Sequence, residues 1–139
     1  MQADAKKVLE RIKQAELVQF ADVALDSPDA RSPLSGETPL HIVAKWGEVE
    51  AAIALLDAGA MIDVPGEEGC TPLHEAICQG HFPMVELLVS RGASLSMVSR
   101  RGDALRLASV CENKQVEEFI RQKRSAEPGA ASGAGMPYR

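Results

Sequence analysis

Aromatic side chains are scarce: one tryptophan, one tyrosine and three phenylalanines among 139 residues. Sandwich and barrel folds favour aromatic and β-branched residues, so this poverty argues against a β-rich interior. Positive charge is also short. The formal net charge is −5, and a general nucleic-acid binder would need a basic stripe to displace counterions. Long apolar runs are missing, none approaching the roughly 20 residues of a membrane-spanning helix. The N-terminus, Met-Gln-Ala-Asp-Ala-Lys-Lys, has no apolar stretch behind its charges and does not read as a signal peptide. Cysteine is limited to Cys70, Cys78 and Cys111, an odd number without disulfide spacing. Free thiols suit a reducing compartment, and a cytoplasmic protein without a membrane segment is expected.

The hydrophobic fraction is 45%, mostly Ala, Leu, Ile and Val, which suits close-packed short helices in one domain. Charge is unevenly spread. Gly36 to Gly92 holds nine acidic and two basic residues, a net of −7. Residues 93–139 hold five acidic and eight basic, a net of +3, and residues 1–35 come to −1. The acidic middle is the part that would steer a partner, and that partner should be basic there.

An internal echo organises the chain. Gly-Glu-Thr-Pro-Leu-His (Gly36 to His41) returns one period later as Gly-Cys-Thr-Pro-Leu-His (Gly69 to His74). At the same spacing Gly47 recurs as Gly80, Leu55 as Leu88, and Gly59-Ala60 as Gly92-Ala93. In each copy Thr38 or Thr71 is placed to cap a helix with proline at its first position, where the missing N–H is harmless. The first helices should end near Trp46 and Gln79, each followed by a glycine turn. Second helices are expected at about 49–57 and 83–90. Asp63-Val-Pro-Gly-Glu-Glu-Gly69 and Ser96-Met-Val-Ser-Arg-Arg-Gly102 read as projecting turns between copies.

Around this pair the pattern is looser. Val8, Leu9 and Ile12 share a helical face, and Leu17, Phe20, Ala21, Ala24 and Leu25 share another, predicting a helical hairpin. A third copy from Gly102 lacks Thr, Pro and His. Its second helix aligns best with the period shortened by one, so that Val116, Phe119 and Ile120 match Met84, Leu87 and Leu88. That places the loss of one residue in the joint between its helices. The expected division is a capping hairpin and loop over 1–32, repeats over 33–65 and 66–98, a capping repeat over 99–124 and a disordered tail over 125–139.

A 33-residue period opening T-P-L-H resembles the ankyrin-repeat family. The resemblance implies an all-α ankyrin-repeat solenoid of stacked helix-turn-helix units, whose β-turn fingers and first helices form a concave face for partner proteins. It implies no enzyme activity, no cofactor, no metal and no small-molecule substrate, with the chain itself a monomer. Small members of the family include cyclin-dependent kinase inhibitors and presumed immunity partners of bacterial toxins, so a stoichiometric inhibitor is the alternative to an adaptor. An adaptor needs a second surface, which the C-terminal Met-Pro-Tyr-Arg could supply.

The family's histidine position implies that His41 and His74 tie adjacent turns together rather than act chemically. Cys70 and His74 are too few for a zinc site, which takes about four ligands. No third group is evident to orient a Cys–His nucleophile. What remains are residues that differ between copies. Trp46, with Gln79 and Glu112 as its counterparts at the full period, is the candidate anchor, since tryptophan is enriched in interface hot spots. Glu67 and Glu68 at one finger tip oppose Arg100 and Arg101 at the next, a charge pattern that would set a partner's register. Glu37, Lys45 and Asp103 complete the expected partner-binding set.

Overall fold

The computed structural model describes residues 3–15 and 25–126. Among them regular structure is helical apart from one isolated bridge, Ser99 to Gly102. The helices are α1 (Ala3–Gln14), α2 (Pro39–Trp46), α3 (Val49–Asp57), α4 (Pro72–Gln79), α5 (Phe82–Ser90), α6 (Ala104–Val110) and α7 (Lys114–Ala126). The first helices α2, α4 and α6 stack side by side, and α3, α5 and α7 form a second row. This is an all-α solenoid.

The order follows from local chemistry. Thr38 and Thr71 are extended, and Pro39 and Pro72 then open helices at a position that needs no N–H donor. Leu40, Leu73, Leu55 and Leu88 recur at repeat spacing and are fully buried, as are Val116 and Ile120 in the last unit. Each hairpin is too thin to bury its own apolar face, so the stack forms one continuous core. At the N-terminal end α1 buries Val8, Leu9 and Ile12 against α3 and, more lightly, α2. The second helix expected there, with Leu17, Phe20, Ala21 and Ala24, lies outside the described residues. At the other end α7 runs on to Ala126, just past the expected start of the tail, and residues 127–139 lie outside the described part.

The third unit corrects the expected position of its missing residue. Thr71 and Asp103 are the matching helix caps, Gly80 and Glu112 the matching left-handed stops, and Phe82 and Lys114 the matching second-helix starts. All three pairs are one short of the full period, so the loss precedes α6 and not the joint after it. The fingers show where. In the first, Gly66 N–H donates to the Cys70 carbonyl at 2.8 Å, enclosing Glu67, Glu68 and Gly69. In the second, Ser99 N–H donates to the Gly102 carbonyl at 3.0 Å, enclosing only Arg100 and Arg101. The finger tip is one residue shorter.

In this register Glu112 occupies the place of Gly80, at φ 55° against 74° for the glycine. A side chain is strained there, because Cβ crowds the following carbonyl. Glu112→Gly should therefore stabilise the chain by about 1 kcal/mol. A urea midpoint that stays put or falls in that variant would show the turn is not strained as described.

Candidate functional site

The polar letters of the repeat motif are built into the scaffold. His41 is fully buried, and its Nδ1 accepts the Thr38 backbone N–H at 3.0 Å. An amide can only donate, so the proton of the neutral ring sits on Nε2, which donates to the Cys70 carbonyl at 2.9 Å. His74 repeats the first bond with Thr71 N–H at 3.0 Å, but its Nε2 donates to the Met97 carbonyl at 3.1 Å. The counterpart of Cys70 in the shortened finger is Gly102, whose carbonyl is taken by the Ser99 N–H at 3.0 Å and the Ser99 hydroxyl at 2.8 Å. Burial pushes His41 down from 6.5 to about 4, against the opposing pull of the Cys70 carbonyl, and lowers His74 likewise. Neutral imidazoles with both nitrogens engaged have nothing left for catalysis. They fasten each first helix to the finger that follows it.

Two of the three thiols, Cys70 and Cys78, are similarly withdrawn. Cys70 is buried, and burial raises its thiol above the usual range. Burial also raises Cys78, to about 11, with Arg101 opposing and Cys111 adding to the rise. Cys78 and Cys111 are therefore neighbours. In the shortened register Cys111, not Glu112, is the counterpart of Trp46 and Gln79. Thiols held in the protonated form are poor nucleophiles and poor metal ligands. Among the described residues no group of three or more His, Cys, Asp or Glu side chains comes together to hold a metal ion.

The expected contact residues divide into two sets. Trp46 ends α2 with 36% of its surface exposed, and Gln79 and Cys111 are exposed at the matching ends of α4 and α6. Glu67, Glu68, Arg100 and Arg101 are all exposed. Their tips are joined, because Arg100 N–H donates to the Glu68 carbonyl at 2.9 Å. Glu68 holds φ at 57°, a left-handed geometry uncommon for a residue with a side chain. The alternating charge at the tips is thus held in place by backbone.

Glu37, Lys45 and Asp103 belong to the scaffold instead. Glu37 is only 2% exposed and its carboxylate is ion-paired with Lys45, so neither presents a free charge as expected from sequence. The Lys45 carbonyl is itself taken by His81 Nε2 at 2.8 Å, which satisfies one of the orphan acceptors at the end of α2. Asp103 caps α6, accepting Arg106 N–H at 2.9 Å. The sequence reading missed Glu75. It lies on α4 and is 7% exposed, with Lys45, Glu37, Arg101 and Glu67 acting on its charge. The signal was available: Glu75 follows the motif histidine where the other copy has Ile42.

Helical pairs, interlocking imidazoles and linked fingers together define the class, and comparison with known proteins names it. Residues 7–99 match the family of ankyrin repeats, in three copies. The chain belongs to that family. The match opens inside α1, taking in the N-terminal element, and stops at Ser99 within the shortened finger. Rabankyrin-5 of Mus musculus is 36% identical over 105 residues, covering 74% of this chain and 9% of that protein. SH3 and multiple ankyrin repeat domains protein 1 of Homo sapiens is 36% identical over 101 residues, covering 70% and 5%. Ankyrin repeat-containing protein P1E11.10 of Schizosaccharomyces pombe is 26% identical over 104 residues, covering 74% and 49%. The chain therefore spans less than half of the length of each. Ankyrin repeats generally mediate protein–protein interaction, and the family is a non-catalytic module. Among the described residues no helix is long and apolar enough to cross a membrane.

The buried imidazoles set an acid limit. Below pH 6.5 the unfolded chain takes up protons at His41 and His74 that the folded chain refuses until about pH 4 at His41. Stability present above pH 6.5 is lost as pH falls, by up to about 1.4 kcal/mol per unit for each histidine. Glu75, raised by burial, works in the opposite sense as one group against two. Urea midpoints taken at pH 7, 6 and 5 should fall steadily. A midpoint that holds across that range would mean the imidazoles take up protons in the folded state.

Proposed function

We propose that this chain grips a partner protein through the face made by its finger tips and its first helices α2, α4 and α6. One observation carries the reading. Every motif letter common to the two full repeats holds the scaffold, while Trp46 against Gln79 and Glu67-Glu68 against Arg100-Arg101, which change between them, stand exposed at fixed spacing. Trp46 and Gln79 mark the ends of α2 and α4. Glu67-Glu68 and Arg100-Arg101 alternate in charge at tips joined through backbone. A rigid row of unlike side chains reads one partner and rejects others, and charge set on rigid backbone loses little entropy on binding.

The partner is basic where it meets the acidic repeats, whose net charge of −7 speeds its approach. The chain acts as a monomer in a reducing compartment, where its three free thiols persist. It performs no turnover, since the motif histidines His41 and His74 are neutral and occupied and the thiols of Cys70 and Cys78 are held protonated by burial.

Trp46 supplies the test. With about a third of its surface open, it is a partner anchor whose loss leaves the core intact. Trp46→Ala should weaken binding of a partner captured by the wild-type chain by about 2 kcal/mol, the scale of an interface hot spot. Melting temperature should barely change. A large drop in melting temperature with unaltered affinity would assign Trp46 to the core and sink the proposal for it.

A further inference from the structure

Glu75 is a carboxylate where the fold asks for an aliphatic side chain. Its structural counterparts are Ile42 in the preceding repeat and Leu107 in the following one, each 2% exposed. Both sit among the buried core residues of the stack. The position accepts a branched apolar side chain in both flanking units, so packing does not require a charge between them. Glu75 is nonetheless withdrawn from solvent, its residual exposure being 7%. Among the described residues no hydrogen-bond donor and no ion-pair partner reaches its carboxylate.

Four charged groups act on it. Lys45 and Glu37 come from the first repeat, and Arg101 and Glu67 from the two fingers. Lys45 is already engaged by Glu37, and Arg101 stays exposed on its finger. Burial outweighs the two cations and raises the Glu75 carboxyl above its ordinary range. The nearby positive charge is thus insufficient to compensate the site. A buried carboxylate left this way destabilises the free chain, and a partner cation would relieve it.

We infer that Glu75 is the floor of a receiving site for one lysine or arginine side chain of the partner protein, entering between α2, α4 and the fingers. This deepens the proposed function and rests on it. The cation would complete an ion pair shielded from water, with Glu67 beside the approach adding attraction. An uncharged donor would leave the charge unbalanced, and an anion would be repelled by Glu37, Glu67 and Glu75 together. The site separates two roles within the same face: exposed tip charges guide the approach, and the buried carboxylate decides whether the partner stays.

A displayed library of random dodecamer peptides, selected on the full chain, provides the probe. Selected peptides should share a lysine or arginine. Replacing that residue by glutamine should lower affinity roughly thirtyfold, and Glu75→Leu or Glu75→Gln should lower it as much. Combining both changes should cause no further loss, and Glu75→Leu should melt no lower than wild type. Additive losses, or peptides with no basic residue in common, would overturn the inference while leaving the face as a binding surface. A lower melting temperature for both variants would make Glu75 a structural residue and overturn it too. If no peptide binds the face at all, the proposed function falls together with it.

Discussion

The bond on which the rest of this molecule depends runs from a buried imidazole to the turn of the next unit. At His41, Nδ1 takes the N–H of the capping threonine and Nε2 gives its proton to the Cys70 carbonyl. One neutral ring therefore closes the start of a helix and fastens it to the neighbouring finger. The space around it is limited: a Cβ on Gly66 would lie 2.9 Å from Nε2. The finger can pass that close only because a glycine is there. With the helix starts pinned at one level, the apolar faces of α2, α4 and α6 meet in register and the core becomes continuous.

Shortening of the second finger shows how much this arrangement tolerates. One residue is lost between Ser99 and Gly102 compared with Gly66 to Cys70, and the whole last unit moves into a register one shorter. His74 keeps its bond to the capping residue but turns to Met97 for its second partner. The tip becomes a tighter turn carrying Arg100 and Arg101, still joined to Glu68 by its backbone. The last helices can diverge because one side of them faces water, which is why Val110 and Cys111 stand exposed.

Polar groups of the first helices and fingers fall into three states. Glu37 and Lys45 are paired and settled. Glu67, Glu68, Arg100 and Arg101 are solvated, so each is energetically mild on its own but fixed in place. Glu75 lies between these states, unpaired among the described residues and only 7% exposed, with its carboxyl raised by burial.

The sequence by itself determined the repeat, its period, the caps and the stops, and the family resemblance supplied the structural role of both motif histidines. All of these are local: a Thr-Pro start, a glycine stop and an apolar period act within one turn or one helix. Exposure of Trp46 and of the finger tips was legible for the same reason. Tertiary structure alone decided which charges remain available. Glu37 looked like a surface carboxylate until Lys45, eight positions on, folded back to it. Glu75 looked like one more acidic residue until Ile42 and Leu107 marked its position as interior. The register of the third unit belonged to the same class, since alignment of its second helix revealed a missing residue but only the finger hydrogen bonds located it. Pairing depends on which side chains the stacked repeats bring together; the repeat spacing hinted at the interior position of Glu75 through Ile42, but only the packed structure showed its burial.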